Sequence, residues 1–220
     1  MMEQEYDNLQ SVVTVNCNSY YLVFKRIFDV VSCVCGLIIL SPIFLITAIA
    51  IKIEDPKGKV FYSHYRVGKN GMKIPVYKFR SMFSNSDELF KEFTPEQKKE
   101  FEEFQKLKND PRVTKVGRII RKTSIDELPQ LVNVLKGEMS VVGPRPIIQK
   151  ELDRYGEYKD VYLSVLPGLT GMWQAYGRNN LTFAERIKMD VYYVRERSMR
   201  LDLTILCQTI KTVLVGEGAL

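Results

Sequence analysis

Two carboxylates stand side by side at Asp126 and Glu127, in the stretch TSIDELPQL (123–131), just ahead of Pro129. One acid at the start of a helix is an ordinary cap, worth about 1 kcal/mol. With Asp126 as the N-cap, Pro129 falls at N3, where its missing N–H does little harm, and the helix runs to about Lys136 with Gly137 as its stop. With Ser124 as the cap, Glu127 completes a capping box, but Pro129 then sits at N5 and spoils a helical bond. The first register is the better one. A cap needs only one acid, however, and the second asks for counter-charge. Arg112, Lys115, Arg118, Arg121 and Lys122 supply it upstream, and Arg145 downstream. A carboxylate at a helix N-terminus near guanidinium groups is expected to be ionised, and so available as a nucleophile or metal ligand. Two adjacent acids amid arginines suit a phosphate ester held through Mg²⁺. The residues alone leave phosphoryl transfer and a structural cap both open.

Further along, Pro144 and Pro146 lock the backbone around Arg145 and hold it in a fixed direction. LPGLTGMWQAYGRNN (166–180) sets three glycines around the sole tryptophan and ends in Arg178 and two amides. Such a loop could take a base and a phosphate, although glycine-rich loops are weak signals by themselves. No Walker A sequence and no strand-coupled Gly-x-Gly-x-x-Gly occurs. A single histidine, His64, excludes a multi-histidine metal site, and the four cysteines match neither zinc nor redox spacing. Cys33 and Cys35 read as small buried hydrophobes in an apolar run.

These groups need a scaffold. The 220 residues suffice for one ordinary domain with a core and one added element. With 26% charged and 45% hydrophobic residues the chain is neither disordered nor polytopic. A net charge of +6 points to an anionic partner without choosing among nucleic acid, phospholipid and a phosphorylated substrate. Basic residues interleaved with acids, and no nucleic-acid fold motif, argue against nucleic acid.

Val30–Ile51 carries no charge. As a helix it would extend about 33 Å, enough to cross a bilayer core. Lys25 and Arg26 precede it and Lys52 follows, so the positive-inside rule casts no vote. Ser41-Pro42 sits mid-run, where proline kinks or breaks a helix. A bent helix with both ends basic fits a segment that enters one leaflet and returns; a kinked spanning helix and a buried core helix are the alternatives. The domain reading is a polar leader over 1–24, a membrane-inserted segment over 25–53 and a catalytic domain over 54–220. Within the last, KVFYSHYRVG and KIPVYKFRSM read as two strands around the turn Lys69-Asn70-Gly71, with Pro75 on an edge. The charged insert 84–110 holds a helix opened by Thr94-Pro95-Glu96-Gln97, and Thr182–Glu185 opens another through about Glu196. A final apolar helix follows. The fold class expected is α+β and helix-rich: a re-entrant membrane helix hairpin plus a compact cytoplasmic catalytic domain with a small β-hairpin.

In sequence order, KRIFDVV, the Ser41-Pro42 break, EDPKGKVFYSHYRVGKNG, YKFRSM, the block from Asp110 to Pro146, LPGLTGMWQAYGRNN and DVYYVRERSMRLDLTIL together resemble the bacterial sugar transferases, the monotopic phosphoglycosyl transferases. The resemblance implies transfer of phospho-sugar from a UDP-sugar to polyprenol (undecaprenyl) phosphate, with release of UMP. The setting it implies is the cytoplasmic face of the bacterial inner membrane, among phospholipid, at the start of glycan biosynthesis. It further implies Asp126 as nucleophile, giving an aspartyl phospho-sugar intermediate, with Glu127 assisting and both acids meeting Mg²⁺. Lys78, Arg80, Arg121, Arg145 and Arg178 would bind phosphates, and Ser41 and Pro42 would break the membrane helix. A homodimer is left open. The rivals are direct transfer in a ternary complex and a non-enzymatic, membrane-tethered basic binding protein.

Overall fold

The computed structural model describes residues 19–104, 107, 109–177 and 181–215, with backbone alone for 102–104 and 213–215. Arg178 and the leader up to Asn18 lie outside the described residues. Helix α1 runs Ser19–Glu54, starting earlier than the expected Lys25. Strands β1 (Phe61–Val67) and β2 (Lys73–Phe79) pair as the expected hairpin. Helices α2 (Ser86–Lys91), α3 (Pro95–Phe104) and α4 (Lys115–Lys122) follow, then a 3-10 turn over Ile125–Glu127. The rest is α5 (Gln130–Lys136), β3 (Ser140–Val142), α6 (Gln149–Leu152), α7 (Lys159–Leu163), β4 (Gly168–Thr170), α8 (Met172–Tyr176), α9 (Phe183–Glu196) and α10 (Met199–Val215). The class is helix-rich α+β, with one long apolar helix near the N-terminus.

Helix α1 passes through Ser41 and Pro42 as a single helix, with Pro42 inside it, so the hairpin expected there is not drawn by the fold. The buried-core alternative fails, because only 11% of its most apolar window is buried and Ile38, Ile39, Leu45, Ile46 and Ile53 lie largely open. An apolar surface of that extent needs a non-aqueous neighbour. Cys33 is buried as expected, whereas Cys35 faces outward.

The chain forms two compact units. One takes residues up to Ile38, Ser63–Val76 and residues from Gln130 onward; the other takes Ile39–Tyr62 and Tyr77–Pro129. In the first unit the polar residues of KRIFDVV are spent on docking. Lys25 Nζ donates to Asp202 Oδ2 at 2.8 Å, Arg26 donates to the Val134 and Leu135 carbonyls at 2.6 and 2.8 Å, and Asp29 accepts from the Ser140 hydroxyl at 2.7 Å and the Val141 N–H at 3.0 Å. Arg26 thus satisfies carbonyls at the C-terminal end of α5, which stops where Gly137 turns to φ +78°. The core gathers Val67, Ile147, Leu152, Tyr155, Tyr162, Ile187 and Val191. Strands β3 and β4 pair in parallel, Ser140 opposite Gly168 and Val142 opposite Thr170.

The second unit is built on Ile51, Phe79 and Ile120, with Phe44, Val60, Val116, Ile125 and Leu128 packed round them. The last residue of α1 starts α4: Glu54 Oε1 and Oε2 accept the Lys115 and Val116 N–H groups at 2.7 and 2.8 Å. Thr114 caps the same helix, its hydroxyl accepting the Gly117 N–H at 2.8 Å. In the insert, Thr94 and Gln97 form the expected capping box with Pro95 as first helical residue.

Candidate active site

Asp126 is not the cap of a helix. It lies inside the 3-10 turn Ile125–Glu127, entered through Ser124 in the left-handed region at φ 57°, and the α-helix begins only at Gln130. The turn is closed by the Glu127 N–H on the Ser124 carbonyl at 3.2 Å and the Leu128 N–H on the Ile125 carbonyl at 3.1 Å. A non-glycine residue with positive φ costs of order 1 kcal/mol or more. Here Ile125 and Leu128 anchor in the core on either side of the acids.

Lys78, on β2, faces the pair: its Nζ donates to Glu127 Oε1 at 2.7 Å and stands 3.6 Å from Asp126 Oδ2. Asp126 is buried, 8% exposed. That burial works against the ionised form which the flanking cations favour. Burial pushes the Asp126 carboxyl above its ordinary value; Lys78 and Arg121 pull it down, Glu127 pushes it up, and burial wins. A carboxyl raised by burial beside specific charged partners is a common signature of a working acid.

Arg121 stands near Asp126, held through Nε to the Ser81 hydroxyl at 2.8 Å. Among the described residues its terminal nitrogens hold no hydrogen-bond partner. Ser81 was missed in the sequence, where its only mark is a place inside YKFRSM. The helix carrying Arg121 packs so closely that a Cβ on Gly117 would overlap the Ser81 carbonyl. Gly117→Ala is therefore expected to cost about 2 kcal/mol and to loosen the Arg121–Ser81 bond. A drop in melting temperature together with weaker anion binding checks this; a neutral substitution sinks it.

Arg80 is placed otherwise. Its guanidinium is committed to Asp55, through Nη1 to Oδ2 at 2.8 Å and Nη2 to the main-chain oxygen at 3.1 Å. Burial alone would raise Asp55, but the Ser84 N–H and hydroxyl and the Arg80 charge hold it below its usual range. Arg145 belongs to the other unit, where the Tyr162 hydroxyl donates to its carbonyl at 3.0 Å. Its guanidinium lies 6.0 Å from the Trp173 ring centroid, and Arg186 covers the same ring at 4.7 Å. Arg186 was also missed, since nothing in its local pattern marks it.

Residues 20–216 match the bacterial sugar transferase family. The chain belongs to that family. It is 49% identical over 198 residues to an undecaprenyl-phosphate galactose phosphotransferase of Salmonella typhimurium, covering 89% of this chain and 41% of that protein. It is 44% identical over 198 residues to the exopolysaccharide production protein ExoY of Sinorhizobium fredii, covering 89% of this chain and 87% of that one. A UDP-N-acetylgalactosamine-undecaprenyl-phosphate N-acetylgalactosaminephosphotransferase of Aeromonas hydrophila is 38% identical over 205 residues, 90% of this chain and 45% of that protein. The chain thus spans less than half of the Salmonella and Aeromonas relatives and most of ExoY. As a family member it is a sugar transferase, an enzyme.

Among the described residues no three His, Cys, Asp or Glu side chains gather round one point. The donor set therefore does not make a protein cage for a metal. It does fit a Mg²⁺ that brings phosphate oxygens with it, since such ions are held by one or two carboxylates and the substrate. The ammonium group of Lys78 already sits where the two acids meet, which marks the cation demand of that spot.

Proposed function

We propose that the chain transfers phospho-sugar from a UDP-sugar to a polyprenol phosphate, of the undecaprenyl kind, through a covalent intermediate on Asp126. The single observation carrying this is the pair of a buried Asp126 and a half-buried Glu127, faced by Lys78 and Arg121. A buried carboxylate has lost water that would blunt it as a nucleophile, while the two cations keep the charged form within reach. Lys78 and Arg121 lie where the donor diphosphate would need its charge neutralised. Mg²⁺, bound by Asp126 and Glu127 with the diphosphate, would supply further charge neutralisation.

In the first step an Asp126 carboxylate oxygen bonds to the phosphorus that bears the sugar. The bond from that phosphorus to the bridging oxygen breaks, and UMP leaves with the electron pair. In the second, a phosphate oxygen of the acceptor attacks the same phosphorus and releases the Asp126 carboxylate, with Glu127 assisting. One site can then serve a soluble donor and a membrane-held acceptor in turn. Lys78, Arg80, Arg121, Arg145 and Arg178 are carried as phosphate-binding residues on resemblance; of these, Lys78 and Arg121 gain support from their place beside the dyad.

The exposed apolar face of α1 supports membrane association. The finer reading, monotopic insertion at the cytoplasmic face of the inner membrane with re-entry at Ser41-Pro42, belongs to the proposal, as do phospholipid contact and a homodimer. The chain's sugar, like its acceptor, is to be found by screening. With UDP-sugars and no acceptor, one equivalent of UMP should appear per protein while labelled phospho-sugar stays on the chain. Steady turnover with acceptor but no label would favour the ternary-complex route.

A further inference from the structure

The charged insert 84–110 has no part in the chemistry above, yet its aromatic residues are arranged round a single cation. Phe90, Phe93 and Phe101 meet one another with centroids 4.9, 5.3 and 6.3 Å apart. All three cover the Arg112 guanidinium, at 5.3, 5.0 and 5.1 Å. The same group is forked onto Asp110, Nε to Oδ1 at 2.9 Å and Nη2 to Oδ2 at 2.7 Å. The Arg112 N–H also bonds Asp110 Oδ1 at 3.0 Å, closing an Asx turn. Their side chains are only 12% and 9% exposed. A fork on one edge and rings over the faces fix a guanidinium in both position and plane.

What this clasp fixes is the backbone from Asp110 to Thr114, and that backbone is bonded to 81–83. The Phe83 N–H donates to the Arg112 carbonyl at 2.9 Å, Met82 and Val113 form an antiparallel bridge, and the Thr114 N–H donates to the Ser81 carbonyl at 3.1 Å. Ser81 in turn holds Arg121. The two charges of the clasp act on Arg121 with opposite signs, so its main effect there is geometric.

We propose that Arg112 and Asp110, clasped by Phe90, Phe93 and Phe101, are positioning residues that fix the Ser81–Arg121 pair and so aim the Arg121 terminal nitrogens at the donor diphosphate. This rests on reading the dyad as a diphosphate site. The insert is then the support of the anion-binding arm, and not a solvated decoration.

The test uses the full chain and inorganic pyrophosphate with Mg²⁺ as the binding probe, alongside donor KM and kcat. Arg112→Lys keeps a cation in the cage but loses the fork. It is expected to weaken pyrophosphate on the order of fivefold and to raise donor KM by a similar factor, with kcat nearly unchanged. Ser81→Ala should give a like loss, and the double variant no further loss, since both act through one link. Phe93→Leu, which thins the cage alone, should shift affinity the same way but less. Unchanged pyrophosphate affinity, independent effects that multiply, or a lowered melting temperature with affinity intact would overturn the proposal. A wild-type chain that binds pyrophosphate but turns over no UDP-sugar would instead sink the transfer reading, while the affinity pattern still reports on the clasp.

Discussion

Asp126→Asn is expected to abolish UMP release, by at least about a thousandfold, and yet to make the folded chain more resistant to heat at neutral pH. The loss follows because the amide can neither attack phosphorus nor leave as a carboxylate. The gain follows from burial. The Asp126 carboxyl is held above its ordinary value, so the folded chain binds that proton more tightly than the unfolded chain does. The group favours folding fully below its unfolded value, near about 3.9, and that contribution is lost as pH rises through the folded value. Asparagine is neutral throughout and escapes the loss. The variant should therefore melt higher than the wild type at pH 7.5, with the difference closing as pH falls toward about 4. Paired melting curves across that range decide it. If the asparagine form melts lower at pH 7.5, the attraction of Lys78 and Arg121 exceeds the burial cost. Residual UMP release at wild-type level would end the covalent scheme.

The same residue shows where sequence reading reached and where it stopped. Local chemistry was legible: the β-hairpin around Lys69-Asn70-Gly71, the boxes at Thr94 and Thr182, and the Gly137 stop all depend on neighbours a few residues away. Arg121 was legible as counter-charge to the adjacent acids, but the closeness of Lys78 came only through family resemblance, since Lys78 and Glu127 are 49 residues apart. Counting nearby cations shows what favours the charged form of Asp126, but the opposing desolvation depends on packing that no charge pattern displays. The cap register failed because Ser124 takes a left-handed conformation, which serine seldom adopts and no spacing announces. Arg112, counted among the counter-charges of the dyad, is forked onto Asp110, and Arg80 is bound to Asp55. Arginine in a motif marks a need for a fixed guanidinium; only the fold tells whether its partner is substrate or protein.

Strands β3 and β4 were missed for another reason: at three residues each they show no period-two alternation, and Gly168 read as part of a loop for a base and a phosphate. Gly168 and Gly143 are in fact a close contact between backbones, which makes Gly168→Ala a strongly damaging small substitution. A Cβ there would overlap the Gly143 N and the Thr170 carbonyl, main-chain atoms with nowhere to go. Those two atoms are bonded to each other, the Gly143 N–H donating to the Thr170 carbonyl at 2.9 Å, and the Gly168 N–H donates to the Pro144 carbonyl at 2.7 Å. The cost should be about 3 kcal/mol, or roughly 10 °C in melting temperature for a chain of this size. Gly71→Ala is the useful contrast. Gly71 has φ +77° but open space around its missing Cβ, so only backbone strain of about 1 kcal/mol applies. A steric origin predicts that the residue with ordinary φ is hurt more than the one with positive φ; melting curves in the reverse order would refute it. The damage should also reach function, because Pro144 adjoins Arg145, whose carbonyl is bonded by Tyr162. Loosening β4 frees the turn that aims this arginine beside Trp173. If Arg145 holds a donor phosphate, as proposed, Gly168→Ala should lose donor binding even at temperatures where it remains folded.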